Sequence, residues 1–264
     1  MYEINDYYTL HNVHKTDAPL LSNVCATFIL TLEDSTREIT DDFLLNLTPQ
    51  TFKFVNKGFK KYKKPHNINE SNRDINYSMY TLFNYVNNKT NFKNILVLED
   101  DAKVLNYDTS HYEKVNNYIK ENDYNIFSFG SFGIFLYKND YIYNIINPRA
   151  TQACIYSINS RYNLNKHFLK NNFNGHLDAD YFNNVKTYKL PLITQTFPKT
   201  INNDQWSYFD KIIFDIINKI LCIKLSEDID GWNAMYSFCS NILMITIYVF
   251  IVILIFITLK CSYL

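Results

Sequence analysis

The stretch 95-ILVLEDDAKV-104 decides how the rest of the chain reads. Ile95, Leu96, Val97 and Leu98 form a short apolar run that stops abruptly at Glu99, Asp100 and Asp101. This is a hydrophobic strand delivering three carboxylates at its C-terminal end, the edge at which open α/β sheets bind ligands. Adjacent carboxylates repel one another when all are ionised at close range. A divalent cation with a preference for hard oxygen ligands, Mg2+ or Mn2+, removes that cost. Such an ion would bridge to a diphosphate and stabilise it as a leaving group. A solvated acidic turn capping the next element is the plainer reading, and from these three residues alone the two stand level.

Working outward, the elements alternate. Residues 24–32 (VCATFILTL) read as a buried strand and 71–86 as a helix. Residues 112–120 read as a second helix, followed by strands at 125–129 (NIFSF), 134–137 and 153–158 (ACIYSI). A helix is expected over 160–170, capped by Asn159 or Ser160, then a helical segment at 180–185 and an extended one at 188–193. Strand–helix alternation of this kind predicts an α/β domain with a largely parallel sheet.

Composition narrows the function classes. Lys plus Arg is 26 and Asp plus Glu is 26, so no net charge draws the chain to nucleic acid. The basic run 56-NKGFKKYKKPH-66 is the local exception, and it reads as a solvated loop before it reads as a polyanion or lipid contact. With 22 Tyr and 20 Phe the chain carries ample apolar surface for a packed core. The Cys count is 5 and no pair shows C-x-x-C spacing, which argues against a disulfide framework or a zinc site. The opening MYEINDYYTLHNVHK has no basic region leading into an apolar core, so a signal peptide is not expected there.

The C-terminal part reads differently. Residues 242–259 (ILMITIYVFIVILIFITL) carry no charge, Pro or Gly. At about 1.5 Å per residue the run spans roughly 27 Å, close to the hydrocarbon thickness of a bilayer. A buried core helix normally keeps one polar stripe, and this segment is apolar all round. A transmembrane helix over 241–260 is therefore expected, with post-translational insertion as a tail anchor and the preceding domain in the cytosol. Upstream, 211-KIIFDIINKILCIK-224 has its Ile and Leu at helical spacing and its charges on another face. The resulting organisation is an α/β domain over 1–209, an amphipathic helix and juxtamembrane linker over 210–240, and the anchor.

Two more stretches carry candidate chemistry. In 175-GHLDADYF-182, Asp178 and Asp180 precede an expected helix. One of them is a natural helix cap. The other is placed to act as a general base toward an acceptor hydroxyl. In 191-PLITQTFPKTINNDQW-206, Trp206 and the polar residues before it suit a sugar or base by stacking and hydrogen bonding, although the composition is equally that of an irregular loop. No nucleophile elbow, Gly-rich phosphate loop or zinc motif appears.

Taken in order, these pieces resemble the family 25 glycosyltransferases, the group that includes the lipooligosaccharide and collagen galactosyltransferases. ATFILTLEDSTREI at 26–39 is similar to the family's first strand and following Arg, here Arg37. Ser78 in NYSMYTLFNYV is similar to the helix Ser, and ILVLEDD to the strand ending in acids. YNIFSFGSFG, ATQACIYSINSRYN, HLDADYF and PLITQTFP follow in the family's order. Met79 stands where the family has His. The resemblance implies a GT-A-like fold, a nucleotide-sugar donor, a glycan or protein hydroxyl acceptor and an inverting transfer. It implies Mn2+ or Mg2+ held by Glu99 and Asp101, with Asp178 or Asp180 as base. Asp100, Arg37, Ser78 and Trp206 are the implied substrate-binding residues. The Asn-, Ile- and Lys-rich composition is similar to that of members in large DNA viruses. Two other classes remain beside this one: a membrane-anchored interaction protein that keeps the fold without chemistry, and a metal-dependent phosphohydrolase using the same acids.

Overall fold

The computed structural model describes residues 2–149, 153–182 and 184–195, together with Tyr236, Ser237, Asn241, Thr246, Val249 and Phe250. The amphipathic stretch 211–224, Trp206 and most of the apolar run 242–259 lie outside the described residues. Among the described residues no helix is long and apolar enough to cross a membrane. Thr246, Val249 and Phe250, within the apolar run, are helical and exposed.

The strand at the centre is β5 (Asn94–Glu99). Ile95 and Val97 enter one apolar core, while Leu96 and Leu98 enter another on the opposite face of the sheet. This two-sided burial explains the unbroken apolar run, because neither face of a covered strand is left to polar residues. On one side β5 pairs in parallel with β3 (Ala26–Leu32), which pairs in parallel with β4 (Gln50–Asn56). Beyond β4 lie β2 (Tyr8–Lys15) and the edge strand β1 (Tyr2–Asn5), both antiparallel to their neighbours. On the other side β5 pairs antiparallel with β10 (Ala153–Ser157), and β10 pairs antiparallel with β7 (Ile126–Ser128). The order continues through β11 (Val185–Tyr188) and β9 (Ile142–Arg149) to the far edge, β8 (Phe132–Asn139).

Among the described residues the result is one ten-stranded mixed sheet. The expectation of a largely parallel sheet is met in direction only. Strands β1, β4, β3, β5, β7, β11 and β8 point one way and β2, β10 and β9 the other, yet only three neighbouring pairs are parallel. Inserting β10 between β5 and β7 puts two antiparallel pairings where those strands would have made one parallel pairing. The C-terminal ends of β4, β3, β5, β7 and β11 still share one edge, and that edge carries the candidate site.

Helices cover both faces. α2 (Ser71–Lys89) and α4 (Ile158–Lys170) supply Tyr77, Leu82, Val86, Leu164 and Phe168 to one core. α1 (Asp42–Leu45) and α3 (Thr109–Glu121) supply Leu44, Tyr112, Val115 and Tyr118 to the other. In α2 the buried Asp74, Tyr77, Ser78, Thr81, Leu82 and Val86 recur three and four apart, one stripe of a helix. α4 begins two residues earlier than expected, because the Ser157 side chain, and not that of Asn159 or Ser160, accepts from the Ser160 N–H as cap. The helix expected over 180–185 does not form. A five-residue π-turn, Leu177–Tyr181, occupies its start, Asn184 takes a left-handed φ of 59°, and β11 begins at Val185.

A second, two-stranded sheet pairs β6 (Ala102–Val104) with β12 (Ile193–Gln195). Leu105 N–H donates to Leu192 O at 2.9 Å at its end, and Leu192 N–H, donating to Phe129 O at 2.8 Å, fastens it to the main sheet just beyond β7. Tyr236 returns to the main sheet, its ring 5.0 Å from that of Phe135 and its hydroxyl 3.2 Å from Thr187 Oγ1.

Candidate functional site

Glu99 closes β5 and Ala102 opens β6, so Asp100 and Asp101 occupy the tight turn between the two sheets. A turn pinned at both ends fixes where its carboxylates point. Asp100 is gripped from the neighbouring strand and the loop after it. Thr31 Oγ1 donates to Asp100 Oδ2 at 2.8 Å and Ser35 Oγ donates to the same oxygen at 2.6 Å. Ser35 in turn accepts the Arg37 N–H at 3.2 Å, which shapes the 35–37 turn. That turn brings Arg37 Nη1 to 3.3 Å from Asp100 Oδ1 and 3.1 Å from Asp101 Oδ2. One guanidinium nitrogen thus bridges the two acids.

Burial makes the pair unequal to its cation. The side chains of Asp100 and Asp101 are 8% and 6% exposed, whereas that of Arg37 is 36% exposed. Asp101 Oδ1 is buried and has no hydrogen-bond partner, the only carboxylate oxygen in that condition among the described residues. Burial pushes the Asp101 carboxyl above its usual range; Arg37 opposes the shift and Asp100 adds to it. Thr194 Oγ1, on β12 across from Lys103, is a second buried polar atom without a partner in this small unit.

The bare oxygen of Asp101 bears on the expected metal. A buried acceptor left unpaired costs free energy that a hard cation or a donor from a ligand would offset. Asp101 fits the role of a ligand through that atom. Asp100 does not offer the same, since its oxygens already serve two hydroxyls and Arg37. Among the described residues no three His, Cys, Asp or Glu side chains gather as a metal-holding group.

Beside Arg37 a cavity of about 350 Å³ opens, lined by Ile29, Ile39, Leu45, Lys53 and Asp100 among others. Lys53 Nζ lies 4.0 Å from Glu38 Oε1 across it.

The other expected site residues fall elsewhere. Ser78 is 2% exposed and belongs to a closed polar network under β4, where it accepts from Asn56 Nδ2 at 3.0 Å and donates to Asp74 O at 2.7 Å. No bond joins it to the acidic turn. Asp180 lies in the π-turn, and Asn76 of α2 holds the loop leading into it by donating to Phe173 O and Gly175 O. The Asp180 carboxylate accepts the His176 N–H at 2.6 Å, capping backward over its own turn and not forward into a helix. A Cβ at Gly175 would stand 2.7 Å from Asp180 Oδ2, and Gly175 has φ +100°, so this close turn needs glycine. The backbone of Asp178 shares the turn. Thr31, Ser35, Lys53 and Thr194 were not singled out from sequence, because hydroxyls and a lone strand lysine carry no pattern until the strands are paired.

No family model matches the chain, and no curated protein matches it.

Proposed function

We propose that the chain is a membrane-anchored glycosyltransferase of GT-A type, moving a hexose from a nucleotide sugar to a hydroxyl of a glycan or protein acceptor with inversion. The observation that carries this reading is the buried, partnerless Oδ1 of Asp101 in a turn at the carboxyl end of the central strand. That atom, with Glu99, would hold Mn2+ or Mg2+, which when bound supplies positive charge to a departing diphosphate. Arg37, partly exposed beside the cavity, adds a cation to the same end of the site. Asp100 acts through Arg37, with Thr31 and Ser35 fixing its orientation. The acceptor proton is assigned to Asp178. The run 242–259 supplies the anchor.

The test is calorimetric binding of uridine diphosphate with and without Mn2+. We expect metal-dependent binding in the full chain and its loss in Asp101→Ala. Unchanged binding in that variant would sink the metal assignment. In a transfer assay Asp178→Asn should lower turnover about a hundredfold or more while leaving donor affinity in place. If Asp180→Asn shows that pattern instead, the base is Asp180.

Two observations favour a second reading. Arg37 already pairs with both acids, and Met79 sits fully inside the core. A membrane-anchored interaction protein that keeps the fold without the reaction would retain this arrangement. It would bind no nucleotide diphosphate in the presence of Mn2+.

A further inference from the structure

The acidic turn holds a cation of its own. Arg37 Nη1 sits 3.3 Å from Asp100 Oδ1 and 3.1 Å from Asp101 Oδ2, so the guanidinium already stands against the carboxylate that an incoming cation would need. The two acids are not held alike. Asp100 keeps two hydroxyl donors whatever Arg37 does, whereas among the described residues Arg37 is the only charged partner of Asp101, whose second oxygen has no partner there. Arg37 itself is the most exposed member and lines the cavity, and its Nη1 contacts are long for charge-assisted bonds. It is therefore the group that can leave.

We infer that Arg37 is an internal stand-in for the divalent ion: it neutralises Asp101 when the site is empty and turns to the ligand's phosphate when a nucleoside diphosphate enters the cavity, clearing Asp101 for the ion. This rests on the assignment of Asp101 as a metal ligand. Electrostatics gives the reason. A divalent ion approaching Asp101 alone meets the guanidinium 3.1 Å from the carboxylate it needs, and like charges at such range oppose binding by an amount that grows as water is excluded. A diphosphate offers Arg37 a bidentate partner with more charge than Asp101 carries. The ion and the nucleotide then favour each other by linkage, and the ion alone binds weakly. Arg37 is a positioning residue in this scheme, setting the order of binding.

The experiment measures Mn2+ affinity by electron paramagnetic resonance on the full chain, for the wild type, Arg37→Met and Asp101→Asn, each with and without uridine diphosphate. Thermal melts confirm that the variants fold. Arg37→Met without nucleotide should bind Mn2+ several-fold more tightly than the wild type. The nucleotide should raise wild-type affinity for Mn2+ by at least tenfold and that of Arg37→Met by much less. A merely structural Arg37 would give the opposite sign, with weaker Mn2+ binding in Arg37→Met while Asp101→Asn still abolishes it, and that result overturns the inference but leaves the metal assignment standing. If wild type, Arg37→Met and Asp101→Asn all fail to bind Mn2+ even with nucleotide, the metal assignment itself falls and takes this inference with it.

Discussion

Two acid–cation clusters stand one strand apart at the same edge of the sheet, and they are finished to different degrees. At the end of β4, Lys64 is fully buried and uses all three of its donors, on Asp74 Oδ1, Asn56 Oδ1 and Tyr8 OH, with its ammonium 4.6 Å above the Tyr8 ring. Asp74 Oδ2 accepts from Asn56 Nδ2, and Ser78 completes the circuit. At the end of β5, Arg37 is partly exposed and one oxygen of Asp101 is left bare. The first cluster is closed, with each polar group answered from within the chain. The second lacks a donor. A buried network gains its strength when every member is satisfied, and a half-satisfied one persists where something outside the chain completes it. The difference separates a structural tie, which fastens the basic 56–66 loop to α2, from a site.

The sharpest way to break this comparison is to remove one cation from each cluster. Lys64→Met leaves Asp74 buried without its ion, and urea unfolding should show a loss of about 3–5 kcal/mol. Arg37→Met should cost clearly less, since the Arg37 side chain is 36% exposed and Asp100 keeps its hydroxyls. Equal losses would erase the distinction. A second test sharpens it: Lys64→Met combined with Asp74→Leu should recover at least half of the single variant's loss, because a buried pair is replaced by apolar groups and no lone charge remains. Failure to recover would mean that the tie depends on the Asn56 and Ser78 bonds more than on the charges.

The smallest effect concerns Asp101 and has the opposite sign. Its carboxyl is raised by burial, so the folded chain favours the neutral acid more than the unfolded chain does. That preference stabilises the fold below the ordinary carboxylate range and is lost as pH rises through the raised value. At neutral pH the ionised carboxylate is therefore a burden, and Asp101→Asn should raise the melting temperature. The gain should shrink as pH falls into the acid range, where the wild-type carboxyl also becomes neutral. Melting curves at several pH values check both parts. A melting temperature lowered by the substitution at neutral pH would show that the ion pair with Arg37 outweighs the burial.

Much of this was legible in the sequence where the pattern was local. The apolar run 95–98, the helical stripe of α2 and the acids at a strand end are readable from neighbours in the chain, and each formed where expected. Strands β2 and β4 were not seen. TLHN in β2 and TFKF in β4 mix polar and apolar residues because one face of the sheet there is only partly covered, and they become strands by pairing with each other across about forty residues. Register was equally hidden: β10 enters between β5 and β7 as an antiparallel strand, a choice that ACIYSI alone does not encode. The acidic site was visible as carboxylates and Arg37. What grips it was not, since Thr31 and Ser35 reach Asp100 from sequence separations of 69 and 65. Lys64 looked like one more basic residue of a solvated run, and only the fold turns it inward while Lys60, Lys61 and Lys63 stay exposed.

Tyr236 has a practical consequence for anyone trimming the chain. Its side chain is 2% exposed and lies on Phe135, itself 2% exposed, with its hydroxyl against buried Thr187. A protein cut after β12 to shed the hydrophobic tail would strip that ring away and leave an aromatic surface open beside the edge hairpin β8–β9, where Ile134, Tyr137 and Ile146 already meet solvent. Exposed apolar surface next to an unpaired strand edge is a recipe for self-association. A cut after Ser240 keeps the aromatic lid in place, so the workable boundary for a tail-free protein lies some 45 residues beyond the last strand.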